Sequence, residues 1–287
     1  MSKIINWWKK NASTPAGEML SKVPEITIYF WIVKILTTAL GESVSDYLVF
    51  HIDPVIAVSL GGTAFLVALL LQFSVRRYIA WVYWLAVAMV AVFGTMAADV
   101  LHVGLGIPYI TSTIFFILAL CIILAFWYAS EKTLSIHSIN TSRREIFYWA
   151  TVLATFALGT AAGDMTAITF HLGYLSSGIL FAILIAVIAI SHYIVKNILN
   201  IEHRHQSRNA VFAFWLAYVL TRPLGASFAD WMGKAQSVGG LGWGDGSVSL
   251  ILLILIVGLV GYLSVAAASS RKVRLPLRRD GVVADNQ

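Results

Sequence analysis

The sequence predicts an all-α fold: a polytopic membrane helix bundle of eight transmembrane helices in four tandem two-helix repeats. Three observations predict it. Among 287 residues 59% are hydrophobic and 12% charged, and the mean hydropathy is +0.81, a balance suited to a bilayer rather than to water. Apolar runs of roughly 20 residues, long enough at about 1.5 Å rise per residue to cross a ~30 Å hydrocarbon core, recur eight times. One spacing of tryptophan, glycine and aspartate recurs in every second run.

The spans fall at 26–49, 54–74, 78–101, 109–130, 146–168, 174–196, 210–233 and 247–268. They group into repeats of about 23–75, 76–131, 143–197 and 209–268, so that a transmembrane domain over 23–268 lies between an N-terminal segment, 1–22, and a basic tail, 269–287. An even number of spans puts both termini on one side. Met1–Lys22 carries Lys3, Lys9 and Lys10 but no long apolar core before a small-residue cleavage site, so it is expected to be retained rather than removed as a signal peptide. Seventeen of the 20 Lys and Arg lie in that segment, in the tail, or in the loops after even-numbered spans, which hold Arg76, Arg77, Lys132, Arg143, Arg144, Lys196, Arg204 and Arg208. By the positive-inside rule that face is cytoplasmic, with both termini on it. The opposite loops hold Lys234 alone. The formal charge of +6 therefore follows topology; the tail residues Arg271, Lys272, Arg274, Arg278 and Arg279 are expected to meet anionic lipid, and no nucleic-acid partner is expected. Cys121, the single cysteine, sits mid-span, which excludes disulfides and thiolate metal clusters.

The repeat aligns on Trp31, Trp84, Trp149 and Trp215, preceded by the aromatic runs IYFW, WVYW, IFYW and FAFW. Ten residues on stand Gly41, Gly94, Gly159 and Gly225; five further stand Asp46, Asp99, Asp164 and Asp230, each after a small residue. Because every unit has two spans, all four enter the membrane in the same direction and are related by an axis along the membrane normal. The tryptophans lie near the predicted cytoplasmic helix ends and are expected to anchor at the headgroup boundary. The Gly-x-x-x-small step is expected to let helix backbones approach closely. Pro223, between Arg222 and Gly225, predicts a kink or break in the seventh span. The glycine-rich loop SVGGLGWGDG before the last span is expected to be a slack connection or a mobile gate. His203 and His205 in IEHRHQSR lack acidic or cysteine company beyond Glu202 and are expected to form a solvated basic turn.

A charge at bilayer depth costs about 2.5–3.5 kcal/mol on the most lenient scale, so four aspartates at one repeat position call for a reason. In straight helices each lies about 20 residues, or roughly 30 Å, from the cytoplasmic start, near the outer interface, where helix-end carboxylates can be purely structural. Other polar residues share their faces. Lys34, Thr38, Glu42 and Asp46 are spaced by four; Thr95, Asp99 and His102 share a face, as do Thr160 and Asp164, with His171 two turns on, and Tyr218, Arg222 and Asp230. The position 11 residues after the tryptophan has diverged to Glu42, Thr95, Thr160 and Ala226. Five carboxylates (Glu42, Asp46, Asp99, Asp164, Asp230) face two cations, Lys34 and Arg222, a surplus of three negative charges that protons or a bound cation must balance.

With GESVSD in the context KVPEITIYFWIVKILTTALGESVSDYL, the chain resembles, over roughly 22–268, a bacterial family of membrane proteins built from four tandem two-helix repeats with a characteristic tryptophan. The resemblance implies the repeat architecture and a bacterial cytoplasmic-membrane setting, and no activity. Glu42 departs from the pattern, since it occurs in the first repeat alone.

Three function classes are compatible with these residues. The leading expectation is a secondary transporter of a cation, a divalent metal such as manganese, exchanged against protons within the bilayer. Glu42, Asp46, Asp99, Asp164 and Asp230 would be ligands or proton carriers, with Thr38, Thr95 and Thr160 beside them. His102 and His171 would be auxiliary metal ligands, and Lys34 and Arg222 internal counter-charges. Glu42 and Asp46, one turn apart, form the densest negative charge and are expected to share a proton that an arriving cation displaces. No Walker-type nucleotide sequence exists, so energy would come from a gradient, and no covalent cofactor is expected. The alternatives are a membrane-embedded enzyme acting on a lipid, for which no nucleophile motif is present, and a scaffold in which the carboxylates only lock helices together.

Overall fold

The computed structural model describes residues 21–197 and 203–274. It is an all-helical bundle. The first repeat is α1 (Ile28–His51) and α2 (Pro54–Ser74); the second is α3 (Ala80–Asp99), a π turn (Val100–Gly104) and α4 (Tyr109–Glu131). The third is α5 (Ser142–Asp164), a π turn (Met165–Thr169) and α6 (Tyr174–Asn197); the fourth is α7 (His203–Gly233) and α8 (Asp245–Arg274). Helix starts follow local chemistry. The hydroxyls of Thr27 and Thr141 accept from the amides of Phe30 and Arg144, and the Asp53 carboxylate accepts from Val55 and Ile56 ahead of Pro54. Among the described residues, seven of the eight long helices are apolar enough to cross a membrane; the remaining one, α1, carries Lys34, Glu42 and Asp46. The chain is thus a multi-pass membrane protein, and side chains such as Leu70, Ile114, Ile190 and Ile254 present its outer surface to lipid. The basic segment before residue 21, the side chains of His203 and His205 and of the tail residues Arg271, Lys272 and Arg274, and all of 275–287 lie outside the described residues.

The four tryptophan-bearing helices α1, α3, α5 and α7 form an inner ring in cyclic order, and each plain helix packs chiefly on the inner helix of the following repeat: α2 on α3, α4 on α5, α6 on α7 and α8 back on α1. The repeat position explains the closure. Each glycine of the motif lies against the residue seven after the tryptophan in the next repeat: Gly41 on Ala91, Gly94 on Phe156, Gly159 on Arg222, and Gly225 on Thr38. A β-carbon on Gly94 would come 2.7 Å from the Phe156 Cβ, so only glycine permits these crossings. A second ring of contacts closes the other end, where the aromatic before each tryptophan packs on the tryptophan of the next repeat. Phe30 meets Trp84 at 5.7 Å between ring centroids, Tyr83 meets Trp149 at 5.7 Å, Tyr148 meets Trp215 at 6.3 Å and Phe214 meets Trp31 at 5.7 Å.

That ring corrects the expectation for the tryptophans. Trp84, Trp149 and Trp215 are buried and Trp31 is half-buried, so they plug the axis instead of anchoring at a headgroup boundary. The Trp215 indole donates to the Leu134 carbonyl at 2.9 Å. Lys22 seals the same end: its ammonium is 2.6 Å from Glu145 and donates to the Phe73 carbonyl at 3.2 Å, while Gln72 donates to the second Glu145 oxygen at 3.0 Å. Helix α7 runs unbroken through Pro223, and the irregular backbone falls at the two π turns instead. The loop before α8 is not slack. The amides of Leu241, Gly242, Trp243 and Gly244 donate to the carbonyls of Trp231, Lys234, Met232 and Gly233 at 2.7–3.1 Å, with Gly239, Gly242 and Gly244 at positive φ. The loop therefore wraps the end of α7.

The glycine ring yields a paired test. Gly225→Ala should lower stability by about 1–3 kcal/mol, because its β-carbon would lie 2.8 Å from the Thr38 Cβ and 2.9 Å from the Ala39 amide nitrogen. Gly258→Ala on the outer helix, where nothing stands within 4 Å, should leave it unchanged, as thermal unfolding in detergent would show.

Candidate functional site

At the end of the bundle opposite the tryptophans lies a cavity of about 460 Å³. It is lined by Glu42, Asp46, Asp99, Asp164 and Asp230, with Lys234, Tyr109, Tyr174 and apolar side chains including Val49, Phe50 and Met96. All four repeat aspartates reach it because the ring puts the same face of α1, α3, α5 and α7 on the axis. The cluster is set by the fourfold repeat, but its charges are distributed unevenly.

Behind Glu42, outside the cavity lining, Arg222 is fully buried on the axis. Its Nη2 stands 2.6 Å from the Glu42 carboxylate and 2.7 Å from the Thr160 hydroxyl, and it also donates to the Thr95 hydroxyl; its Nη1 donates to the Thr38 carbonyl at 3.3 Å. Glu42, Thr95 and Thr160 are the residues 11 after the tryptophan in the first three repeats, and the fourth repeat, which supplies the arginine one turn earlier, has Ala226 there. The divergence seen in the sequence is thus one site spread over four repeats. Thr38, Thr95 and Thr160 do not line the cavity; the first offers its carbonyl to Arg222 and gives its hydroxyl to the carbonyls of Ile35 and Thr221, and the others offer hydroxyls.

Glu42 and Asp46 each also face a cation of their own. Glu42 faces Arg222, and Asp46 is paired with Lys234, whose ammonium is also 3.8 Å from Asp230. Burial disfavours the charged Lys234, but Asp46 and Asp230 outweigh it and raise the ammonium above the ordinary lysine range. Lys34 is no counter-charge to the carboxylates. It lies a turn below Arg222 with its Nζ 4.1 Å from the Phe156 ring centre and 4.2 Å from that of Tyr218, and no hydrogen-bond acceptor among the described residues reaches it.

The remaining acids are Asp99 and Asp164. Among the described residues neither has a hydrogen bond or a Lys or Arg partner; Asp164 has only His102, Nδ1 to Oδ2, at 3.9 Å. The π turn after Asp99 brings His102 inward, its turn closed by the Leu105 amide on the Val100 carbonyl at 2.9 Å. The matching turn in the third repeat has no such product: His171 follows it in an exposed left-handed position, φ 56°, outside the cluster. Two groups of three could hold a metal ion, Asp99 with His102 and Asp164, and Glu42 with Asp164 and Asp230; in each, one oxygen or nitrogen per residue lies within 4.8 Å of the others. Lys234, Tyr109 and Tyr174 were not singled out by the sequence. For Lys234 a signal existed, since it is the sole cation of its face and follows Asp230 by one turn.

A family model described as a Repeat of Unknown Function (DUF347) matches this chain four times, over residues 29–78, 82–133, 147–197 and 213–269. Comparison with curated proteins and with solved structures gives no match.

The uneven pairing predicts opposite outcomes for two carboxamide substitutions. Glu42→Gln leaves a fully buried guanidinium without its anion and should cost about 3–5 kcal/mol. Asp99→Asn removes an acid that has no cationic partner and lies among like charges, so it should leave thermal stability in detergent unchanged or higher.

Proposed function

Since the chain belongs to this family of unknown-function repeats, which lends no activity, we propose from the site alone that it is a secondary transporter of a cation coupled to protons. The observation that carries this reading is the charge of the cavity. Five carboxylates line it and two cations are paired with them, Lys234 in its wall and Arg222 behind Glu42, so full ionisation would leave three negative charges beside apolar side chains. Such a cavity holds either protons or a cation. Exchanging one for the other is the elementary step of proton-coupled transport, and it needs no nucleotide.

A divalent metal ion such as manganese fits the donor set, because carboxylate oxygens with one imidazole suit hard to borderline ions. Asp99 and Asp164, free of cationic partners, are the proton and metal carriers in this reading. Arg222, held by Glu42, Thr95 and Thr160, is a fixed plug on the axis that stops the ion from passing inward until the bundle rearranges. Lys234 is a tethered competitor for Asp46 and Asp230 at the mouth. The distribution of Lys and Arg supports an inner-membrane setting with both termini cytoplasmic, so the cavity faces outward. Reporters fused after Gln287 and within residues 131–145 should then read cytoplasm, and one within 234–246 the far side.

Purified protein in proteoliposomes with an imposed pH gradient tests the function. Manganese entry should follow the gradient and release protons, and Asp99→Asn and Asp164→Asn should each slow it at least tenfold in protein that still unfolds cooperatively. If manganese, zinc, magnesium and nickel all fail to move in the wild type, the transport reading is wrong.

A further inference from the structure

The two acidic triads are not equivalent, and the difference names the ion. In Glu42, Asp164 and Asp230, the first is neutralised by Arg222 at 2.6 Å and the last lies 3.8 Å from Lys234. In Asp99, His102 and Asp164 no lysine or arginine among the described residues is paired with any member. An incoming cation gains most where no resident cation must be displaced.

The second observation is the histidine itself. His102 is 8% exposed, and its Nδ1 is buried without a hydrogen-bond partner, pointing toward Asp164 at 3.9 Å. Its Nε2 is 2.6 Å from the Ser112 hydroxyl. That hydroxyl has one proton, and its own helix offers two carbonyls to take it, Tyr109 at 3.0 Å and Pro108 at 3.4 Å. With the serine proton on the backbone, Ser112 presents a lone pair and Nε2 carries the hydrogen. An ion held by Nδ1 requires this tautomer, in which the Ser112 oxygen accepts the Nε2 hydrogen. Nδ1 faces Asp164, too far for a hydrogen bond and spaced as two ligands of one ion are, and one imidazole nitrogen and one oxygen of each of Asp99 and Asp164 lie within 4.8 Å of one another. The Tyr109 ring, 4.5 Å from the imidazole, holds its plane.

We propose that Asp99, His102 and Asp164 form a divalent transition-metal site, with Ser112 as the positioning residue that fixes the imidazole tautomer, and that this site selects manganese-to-zinc type ions over magnesium and calcium. Imidazole nitrogen is a good ligand for first-row transition ions and a poor one for hard ions that require oxygen. A serine on the distal nitrogen does for this histidine what an outer-shell carboxylate or carbonyl does elsewhere. The proposal deepens the transport reading and rests on it for biological meaning, but the binding can be measured alone.

The test is equilibrium binding to the full chain in detergent, with manganese read by electron paramagnetic resonance and cobalt by its visible absorption, alongside calcium and magnesium competition. Wild type should bind one manganese ion with ¹⁴N modulation in the echo spectrum, and should keep it against a large excess of magnesium. His102→Gln should abolish the nitrogen signal and weaken manganese at least tenfold while leaving magnesium affinity unchanged. Ser112→Ala should weaken manganese about tenfold or more by the outer-shell rule while retaining nitrogen ligation. Absence of nitrogen modulation in the wild type, or equal manganese affinity in wild type and His102→Gln, overturns the site. Selective binding without proteoliposome flux upholds the site and removes the transport reading; flux with no nitrogen ligation does the reverse.

Discussion

A guanidinium on the axis of a membrane bundle must be given an anion and acceptors by its neighbours, and most of this architecture follows from how Arg222 is provided for. Its partners come from the other three repeats: a carboxylate from the first, hydroxyls from the second and third, and a backbone carbonyl again from the first. No two-helix unit could bury that charge alone. The inner ring must close for the arginine to be tolerated, and closure depends on glycines that let adjacent backbones approach to within a side chain's breadth. The charge and the packing are thus one constraint, since a wider bundle would strand the guanidinium and a bundle without it would leave Glu42 unpaired above an apolar axis.

The arginine also divides the molecule into chemically different halves. Below it the axis is filled by Lys34 between two aromatic rings, then by the tyrosine pair Tyr83 and Tyr148, whose hydroxyls are 2.5 Å apart, and by the tryptophan ring. Above it is a cavity bounded by acids. Lys22 and Glu145 tie the chain ahead of α1 across the start of α5 at the filled end, so a path through the axis requires that end to part.

How much of this was legible in the sequence depended on whether a residue's role was set by the repeat or by its neighbours. The repeat aspartates and glycines were legible, because a fourfold pattern fixes which face points to the axis. The tryptophans were legible as a position but not as a role: an indole near a helix end suits a headgroup, and nothing along the chain says that the preceding aromatic of another repeat will cover it. Glu42 and Asp46 look like an acid pair when only α1 is considered, one turn apart. The cations they also face lie 180 and 188 residues away. His102 and His171 looked alike for the same reason. One lies within a π turn and the other just after one, but only His102 meets a serine and an aspartate. The loop before α8 reads as slack because glycines are read as freedom, whereas three of them supply the left-handed turns that let it close on α7.

One arginine on an axis of four similar units has a consequence for ancestry and engineering. In a homotetramer of a single two-helix unit any substitution appears four times, and four guanidinium groups crowded on one axis would repel each other with only four matching anions to answer them. Fusing the units into one polypeptide lifts that restriction, because each copy can then change by itself. The glutamate, the two hydroxyls and the alanine at equivalent positions are what such freedom permits. The quarters of this molecule are consequently not interchangeable parts: shuffling their order would keep the silhouette of the ring while separating the cation from the groups that solvate it.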